Sequence, residues 1–319
     1  MTTFKEIRGT TIEVVSSDPS NPELGQIWYN SSSGTLKGYV FATVNAWSAG
    51  GNMVTANRAG GAAGIQTSAV TFGGDPNPAT TQLYNGTSWT STGNLNTGRF
   101  HIGGCGTQTA ALAAGGYTGA GSTATEKFNG TTWTNNPTGL NTARYGLYVF
   151  GIQTAAIAAT GNNGSTYPAA TESFNGSTWT SVNPVNTARD NSAGAGIQTA
   201  GLLFGGNNPG PTAATESWNG TSWTTVNSLN TSRMCAGAGS QASALAFGGY
   251  TTGPVSITES WNGTSWTTVP SLAQARNNIA GAGTQTAALA SGGDTPAPAT
   301  NLTEEWTGSQ LQTKTVTVS

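Results

Sequence analysis

Charge is scarce in this chain: 8% of its 319 residues are Asp, Glu, Lys or Arg, and the formal net charge is −2. That balance leaves no electrostatic case for a nucleic-acid or anionic-membrane partner. No apolar run approaches the roughly 18 residues that a membrane-crossing helix needs, so membrane insertion is not expected. There is one histidine, His101, and neither a Cys-x-x-Cys nor a cluster of carboxylates accompanies it. Metal sites and cofactors are therefore left without a ligand set, and a Ser-His-Asp triad would have to be built on His101 without a nucleophile motif. The two cysteines, Cys105 and Cys235, fall in different repeats; they are expected as free thiols, acting as small apolar residues of inner strands. Residues 1–15 hold no apolar core of signal-peptide type, so the expectation is a chain made in a cytoplasm and not exported by the general route.

What the chain does have is repetition. Glu216-Ser217-Trp218-Asn219-Gly220-Thr221-Ser222-Trp223 can be laid over Tyr84–Trp89, Phe128–Trp133, Phe174–Trp179 and Trp261–Trp266, with a worn copy at Trp306–Leu311. Each copy places an aromatic before Asn-Gly or its relic and a second large apolar residue five positions after the first. Asn-Gly accepts positive φ at both central turn positions, which predicts a hairpin with an aromatic on each arm. Five of these Asn residues (Asn85, Asn129, Asn175, Asn219, Asn262) also match the glycosylation sequon, but the turn explains them.

Other positions keep step. Arg58, Arg99, Arg144, Arg189, Arg233 and Arg276 recur every 41 to 45 residues, followed by Gln66, Gln108, Gln153, Gln198, Gln241 and Gln285. A Gly-Gly pair comes next, with Thr160-Gly161 the one departure, then Glu126, Glu172, Glu216, Glu259 and Glu304, with Gln82 in the first copy. A unit of about 44 residues with four strand-length runs and no helical period is the mark of a β-propeller blade. In the fourth repeat the strands are read as a, 191–196; b, 199–204; c, 214–218; and d, 222–226. Small inner strands suit the crowded axis, and the tryptophans Trp89, Trp133, Trp179, Trp223 and Trp266 fill the diverging outer space.

The order apolar run, Gly-Gly, Glu, aromatic, Trp over residues 52–311 resembles the kelch family of propellers, with a slightly tighter spacing between the two aromatics. Six blades are expected. Closure is contested between two candidate d strands, one at Trp47 and one at 311–319, with seven blades as the alternative if residues 27–50 form a sheet of their own.

Residues 1–51 stand outside the repeat and read as strand, polar turn, strand, loop, strand. Pro22, Gly25-Gln26-Ile27-Trp28-Tyr29-Asn30, Ser33-Gly34-Thr35-Leu36-Lys37-Gly38-Tyr39 and Trp47 resemble a short β-module of structural and tail proteins of tailed bacteriophages. That resemblance implies a virion protein, with residues 1–51 as its attachment module, residues 52–319 as the propeller, other virion proteins as partners and a homo-oligomeric state.

The Arg and Glu series invite a catalytic reading, but six equal constellations are not one active site. Paired with each other and with backbone carbonyls, they are expected to be structural. A glycosidase needs two acids within about 5 to 10 Å, and Asp75, Asp190, Asp294 and Glu305, the repeat-region acids outside the series, are spread over three blades. No catalytic residue is therefore assigned and no enzyme is expected. The connections between strands b and c vary most, and loops on a rigid scaffold are where recognition usually resides. Their Asp75, Tyr117, Tyr167, Asn207, Asn208, Tyr250 and Asp294 offer aromatic faces and polar groups suited to a host surface glycan. The function expected is non-enzymatic adhesion, with virion architecture alone as the alternative and a glycan-acting propeller enzyme third.

Overall fold

The computed structural model describes residues 12–23, 25–42, 45–296 and 298–315. Much of the 1–15 leader reading, Ala297 of the last b–c connection and the 316–319 end of one candidate d strand lie outside them. The described residues form strands and loops with no helix, arranged as seven four-stranded sheets.

Six of the sheets are antiparallel and belong to one compact unit, Ala46–Thr307. In the fourth of them the strands are Ala193–Ile197 (a), Ala200–Phe204 (b), Thr215–Trp218 (c) and Trp223–Val226 (d). The blades span 61–91, 103–135, 148–182, 193–226, 234–269 and 280–307. Their a strands neighbour one another in cyclic order, and the last, Ala280–Gly283, meets the first, Gly61–Ile65. Adjacent a strands approach too closely for a side chain at some positions: a Cβ on Gly104 would lie 2.5 Å from Phe72 Cζ and 2.9 Å from Ala62 O.

The sixth blade is completed from the other end of the sequence. Ala46–Ala49 pairs with Thr303–Thr307 and sets Trp47 opposite Trp306, in the place of a d strand. The rival strand, Gln310–Thr315, pairs instead with Thr35–Ala42. A second compact unit, Met1–Asn45 with Gly308–Ser319, results. Its sheet runs Glu13–Val15, Ile27–Asn30, Thr35–Ala42, Gln310–Thr315, the first pair being parallel. Of the segment 27–50, which was allowed a sheet of its own, only 27–42 enters it, beside Glu13–Val15 and Gln310–Thr315, while Ala46–Ala49 joins the ring. The boundary read at 51/52 moves to 45/46 because a ring needs a fourth strand in its last sheet, and the segment around Trp47 supplies it. Within the smaller unit Asp18 accepts bonds from Trp28 Nε1 (3.1 Å), Asn30 Nδ2 (2.8 Å) and Lys37 Nζ (2.8 Å), which pull its carboxyl down to about 2.

Three sets of side chains tie each blade to the one before it or brace it internally. Every d-strand tryptophan donates its indole N–H to the first threonine of the preceding blade's c strand: Trp89 to Thr303, Trp133 to Thr81, Trp179 to Thr125, Trp223 to Thr171, Trp266 to Thr215 and Trp47 to Thr258. The glutamines at the a–b turns donate to the preceding blade's b and c carbonyls; Gln108 Nε2, for example, reaches Ala69 O (3.0 Å) and Tyr84 O (2.6 Å). Within single blades Arg99 pairs with Glu126, Arg144 with Glu172, Arg189 with Glu216, Arg233 with Glu259 and Arg276 with Glu304, all with arginine side chains fully buried. Burial lowers the guanidinium pKa of Arg99, Arg144, Arg189 and Arg276, and the glutamate partner opposes that shift.

The hairpin tips depart from the turn expected of Asn-Gly. Tyr84 pairs directly with Trp89, so the loop is four residues long. Positive φ falls on Gly86 and its counterparts but not on the asparagines. Asn85 instead accepts from the N–H groups of Thr87 (3.0 Å) and Ser88 (2.9 Å) through its side chain, and so closes the loop as a backbone carbonyl would.

Candidate functional site

One face of the ring carries the d–a and b–c connections, and it is here that the sixfold regularity breaks. The first break is Arg58. Its backbone bridges Asp75, as Phe100 bridges Tyr117, Tyr145 bridges Asn162, Asp190 bridges Asn207 and Asn277 bridges Asp294. Arg58 thus stands one position beyond the buried arginines, and the buried position of the first blade is held by Asn57, with Gln82 where the other blades have Glu. The assignment of Arg58 to the structural series is therefore corrected. The spacing carried the signal: Gln66 follows Arg58 by 8 positions, whereas Gln108, Gln153, Gln198 and Gln285 follow their arginines by 9.

Freed from that role, the Arg58 side chain is 40% exposed and holds Asp75 at 2.7 Å, with Asp294 at 3.9 Å. Asn278 Nδ2 donates to Asp294 at 2.9 Å. Two acids from the first and sixth blades therefore converge on one guanidinium, which their positions in different repeats had argued against.

Next around the face comes an aromatic group. Tyr117 packs on Phe100 at 5.1 Å and edge-on to Tyr145 at 5.0 Å, and the His101 ring lies tilted at 5.4 Å from Phe100 and 6.4 Å from Tyr145. Burial holds the His101 pKa below its ordinary value; a bond from Asn191 opposes this, and the nearby charge of Arg58 adds to it. The imidazole is accordingly neutral at pH 7. Burial raises the Tyr145 hydroxyl, with the Asp190 carboxylate adding to the shift.

Beyond the tyrosines, Asp190 is only 4% exposed and is surrounded by amides. Asn207 Nδ2 donates to it at 3.2 Å and also lies 3.2 Å from the Tyr167 hydroxyl. Burial raises the Asp190 pKa, against hydrogen bonds from Asn207, Asn162 and Asn191. Of the residues expected on this face, Asp75 and Asp294 share Arg58, Tyr117 joins the aromatic group, and Tyr167 with Asn207 joins Asp190. Asn208 turns away to donate to the carbonyl of Ala188. Tyr250 extends its blade's b strand, paired with Met234 across a bulge, apart from these groups. The d–a residues Arg58, Phe100, His101, Tyr145, Asp190, Asn191 and Asn278 were not foreseen in the site; they vary from blade to blade beside the arginine that five blades keep, which is the pattern that would have found them.

At the centre of the face a cavity of about 120 Å³ opens, lined by His101, Asn191, Asn278, Met234 and Cys235 over a Gly and Ala wall. A second, of about 140 Å³, opens on the opposite face, and Tyr148 borders both. Among the described residues no group of three or more His, Cys, Asp or Glu gathers as a metal site. Both cysteines are free, and burial pushes the Cys105 thiol up to about 12 and Cys235 to about 11.

No family model matches the chain, and no curated protein matches it. A solved structure described as "Structure of YjhT" superposes with a TM-score of 0.71, covering 83% of this chain and 100% of that one at 14% identity. The fold is a β-propeller. At that identity the likeness concerns the fold alone, and the site must be read from its own residues.

Proposed function

We propose that the ring acts as a six-bladed, kelch-like propeller that binds a host surface glycan without turning it over, as the adhesion module of a tailed-phage virion protein. The observation that carries the glycan reading is the grouping of Phe100, Tyr117 and Tyr145 beside the amide-ringed Asp190 and the Arg58–Asp75–Asp294 cluster. Sugars present apolar C–H faces and hydroxyls together, and aromatic rings flanked by charged and amide hydrogen-bonding groups match both. Low charge outside the buried pairs leaves few sites for trypsin-like cleavage, which suits a module exposed on a particle.

The virion assignment rests on the resemblance of residues 20–50 to phage tail modules. The unit made of Met1–Asn45 and Gly308–Ser319 is then the attachment module, and other virion proteins in a homo-oligomeric setting are its partners. Removing residues 1–45 and 308–319 is expected to leave a folded ring that no longer enters particles; unchanged incorporation would place the anchor elsewhere. On a glycan array, the purified protein is expected to bind and Tyr117→Ala with Tyr145→Ala to abolish binding while leaving folding intact. A purely architectural role predicts no glycan bound. The convergence of Asp75 and Asp294 favours one further reading, a glycan-acting enzyme, and product release from a bound glycan would establish it.

A further inference from the structure

Around the mouth of the axial cavity runs a belt of backbone hydrogen bonds that passes from blade to blade. Ala59 N–H donates to Asn278 O (2.9 Å), His101 N–H to Ala59 O (2.7 Å), Gly146 N–H to His101 O (2.8 Å) and Asn191 N–H to Gly146 O (2.7 Å). Each member is left-handed, with φ of 54°, 49°, 61°, 46° and 52° at Ala59, His101, Gly146, Asn191 and Asn278. A non-glycine residue rarely adopts that conformation unless its surroundings impose it. Five blades supply one member each.

The fifth blade supplies none. Gln241 follows Arg233 by 8 positions, and here the arginine is in its buried place, so one residue is missing from the d–a connection. The strand registers shift between Met234 and Ala236 to absorb the loss. No left-handed residue occurs there among the described residues. The belt therefore ends on the Asn191 carbonyl and begins again at the Asn278 N–H. Neither of these two groups has a protein hydrogen-bond partner among the described residues, although their counterparts in the other blades do. Both residues line the cavity, and so do Met234 and Cys235 between them.

A missing belt residue would have given its N–H to Asn191 and its carbonyl to Asn278. A secondary amide is a ligand group that offers one donor N–H and one acceptor carbonyl in place of that residue. The cavity, at about 120 Å³, exceeds several-fold the roughly 10 to 15 Å³ that one water needs on the same measure, so it has room for the four heavy atoms of an acetamido group. Its Gly and Ala wall suits a methyl group, and the neutral His101 and the Asn191 and Asn278 side chains suit a polar neighbour. A carboxylate would meet the charges of Asp294 and Asp75, which with Arg58 act on His101 at the cavity wall. Resting on the glycan-binding reading above, we propose that the gap in the belt at the fifth blade is the subsite for the acetamido group of an N-acetylated hexosamine. The amide N–H donates to Asn191 O, and the amide carbonyl accepts from Asn278 N–H.

The test uses the full chain and saturation-transfer NMR or calorimetry with N-acetylglucosamine, N-acetylgalactosamine and N-acetylmannosamine, beside glucosamine, glucose and an N-acetylated tripeptide. At least one N-acetylated sugar is expected to bind 10-fold or more tightly than its counterparts without the acetyl group. Inserting one glycine between Met234 and Cys235 restores the belt's length, and glycine accepts the left-handed conformation without strain. That variant is expected to keep its thermal midpoint and lose the preference for acetamido sugars. Equal binding of sugars with and without the acetyl group would overturn the subsite while leaving glycan binding in place. A folded insertion variant that still prefers acetamido sugars would do the same. Should the insertion prevent folding, the sugar comparison on the unaltered chain still decides. Binding of the tripeptide with no sugar bound would assign the gap to a peptide amide and overturn the glycan assignment. Absence of any sugar or tripeptide binding would overturn both readings.

Discussion

The indole Nε1 of Trp47 donates to Thr258 Oγ1 at 3.0 Å across 211 positions of sequence. It repeats the bond that each other d-strand tryptophan makes to the preceding blade, so the ring is closed by the same contact that joins its members. The Trp47 ring also packs 5.0 Å from Phe247 and 5.5 Å from Trp306. Removing residues 1–45 should therefore leave an intact ring, whereas removing residues 1–51 takes the closing strand with it. Denaturation of the two truncations is expected to show one cooperative transition for the first and a markedly destabilised or open species for the second. Equal stability would mean that Ala46–Ala49 does not close the ring.

Trp223 tests the packing between blades. It is 6% exposed, sits in a cluster with Phe150, Ile157, Leu203 and Trp218, and bonds Thr171 at 3.2 Å. Trp223→Ala should cost about 3 to 5 kcal/mol by denaturant titration. A loss below about 1 kcal/mol would contradict its burial.

The arginines should separate into two classes. Arg58→Ala removes an exposed ion pair and is expected to change stability by no more than about 1 kcal/mol. Glu172→Gln leaves Arg144 buried without its countercharge and should cost about 3 to 5 kcal/mol. Adding Arg144→Asn to it reproduces the Asn57 and Gln82 pair of the first blade and should recover most of that loss, which a double-mutant cycle reads directly.

That division marks where sequence reading succeeded and where it slipped. The period, the order of four strands and the outer tryptophans follow from residue types that recur, and the fourth blade's strands fall within two residues of their expected limits. Arg58 misled because an arginine in near-register looks like a member of the series, although one residue of backbone separates a buried pair from an exposed one. Trp47 read as a closing strand because it stands 42 residues before Trp89, in register with the d-strand tryptophans, and the chain end because it follows the last repeat; pairing with Thr303–Thr307 is a long-range choice that no local pattern encodes. The parallel strand Glu13–Val15 left no signal at all, being three residues with two exposed. The belt of left-handed residues was equally hidden, since Asn and His, though enriched at positive φ, adopt it in few of their positions, and Ala59 gives no such signal.

As the only histidine, His101 gives a single imidazole signal to follow by NMR. Its folded pKa is lowered by burial, so the unfolded chain takes up a proton at higher pH than the folded one. The stability linked to this group is present above the unfolded value of about 6.5 and declines as pH falls below it. His101 should titrate below 6.5, and His101→Phe should flatten the loss of stability between pH 6.5 and the folded value. A folded pKa above 6.5 would show that the neighbouring carboxylates, and not burial, govern the ring.

The claim that matters most is that the b–c loop face is the recognition surface. Binding of the purified protein to host envelope polysaccharide, measured for variants on each face, tests it directly. Tyr117→Ala with Tyr145→Ala is expected to weaken binding at least 10-fold with the thermal midpoint retained. Ile152→Ser with Ile197→Ser, at exposed positions of the opposite face, is expected to leave binding unchanged. Loss of binding in the isoleucine variant with retention in the tyrosine variant would contradict the account.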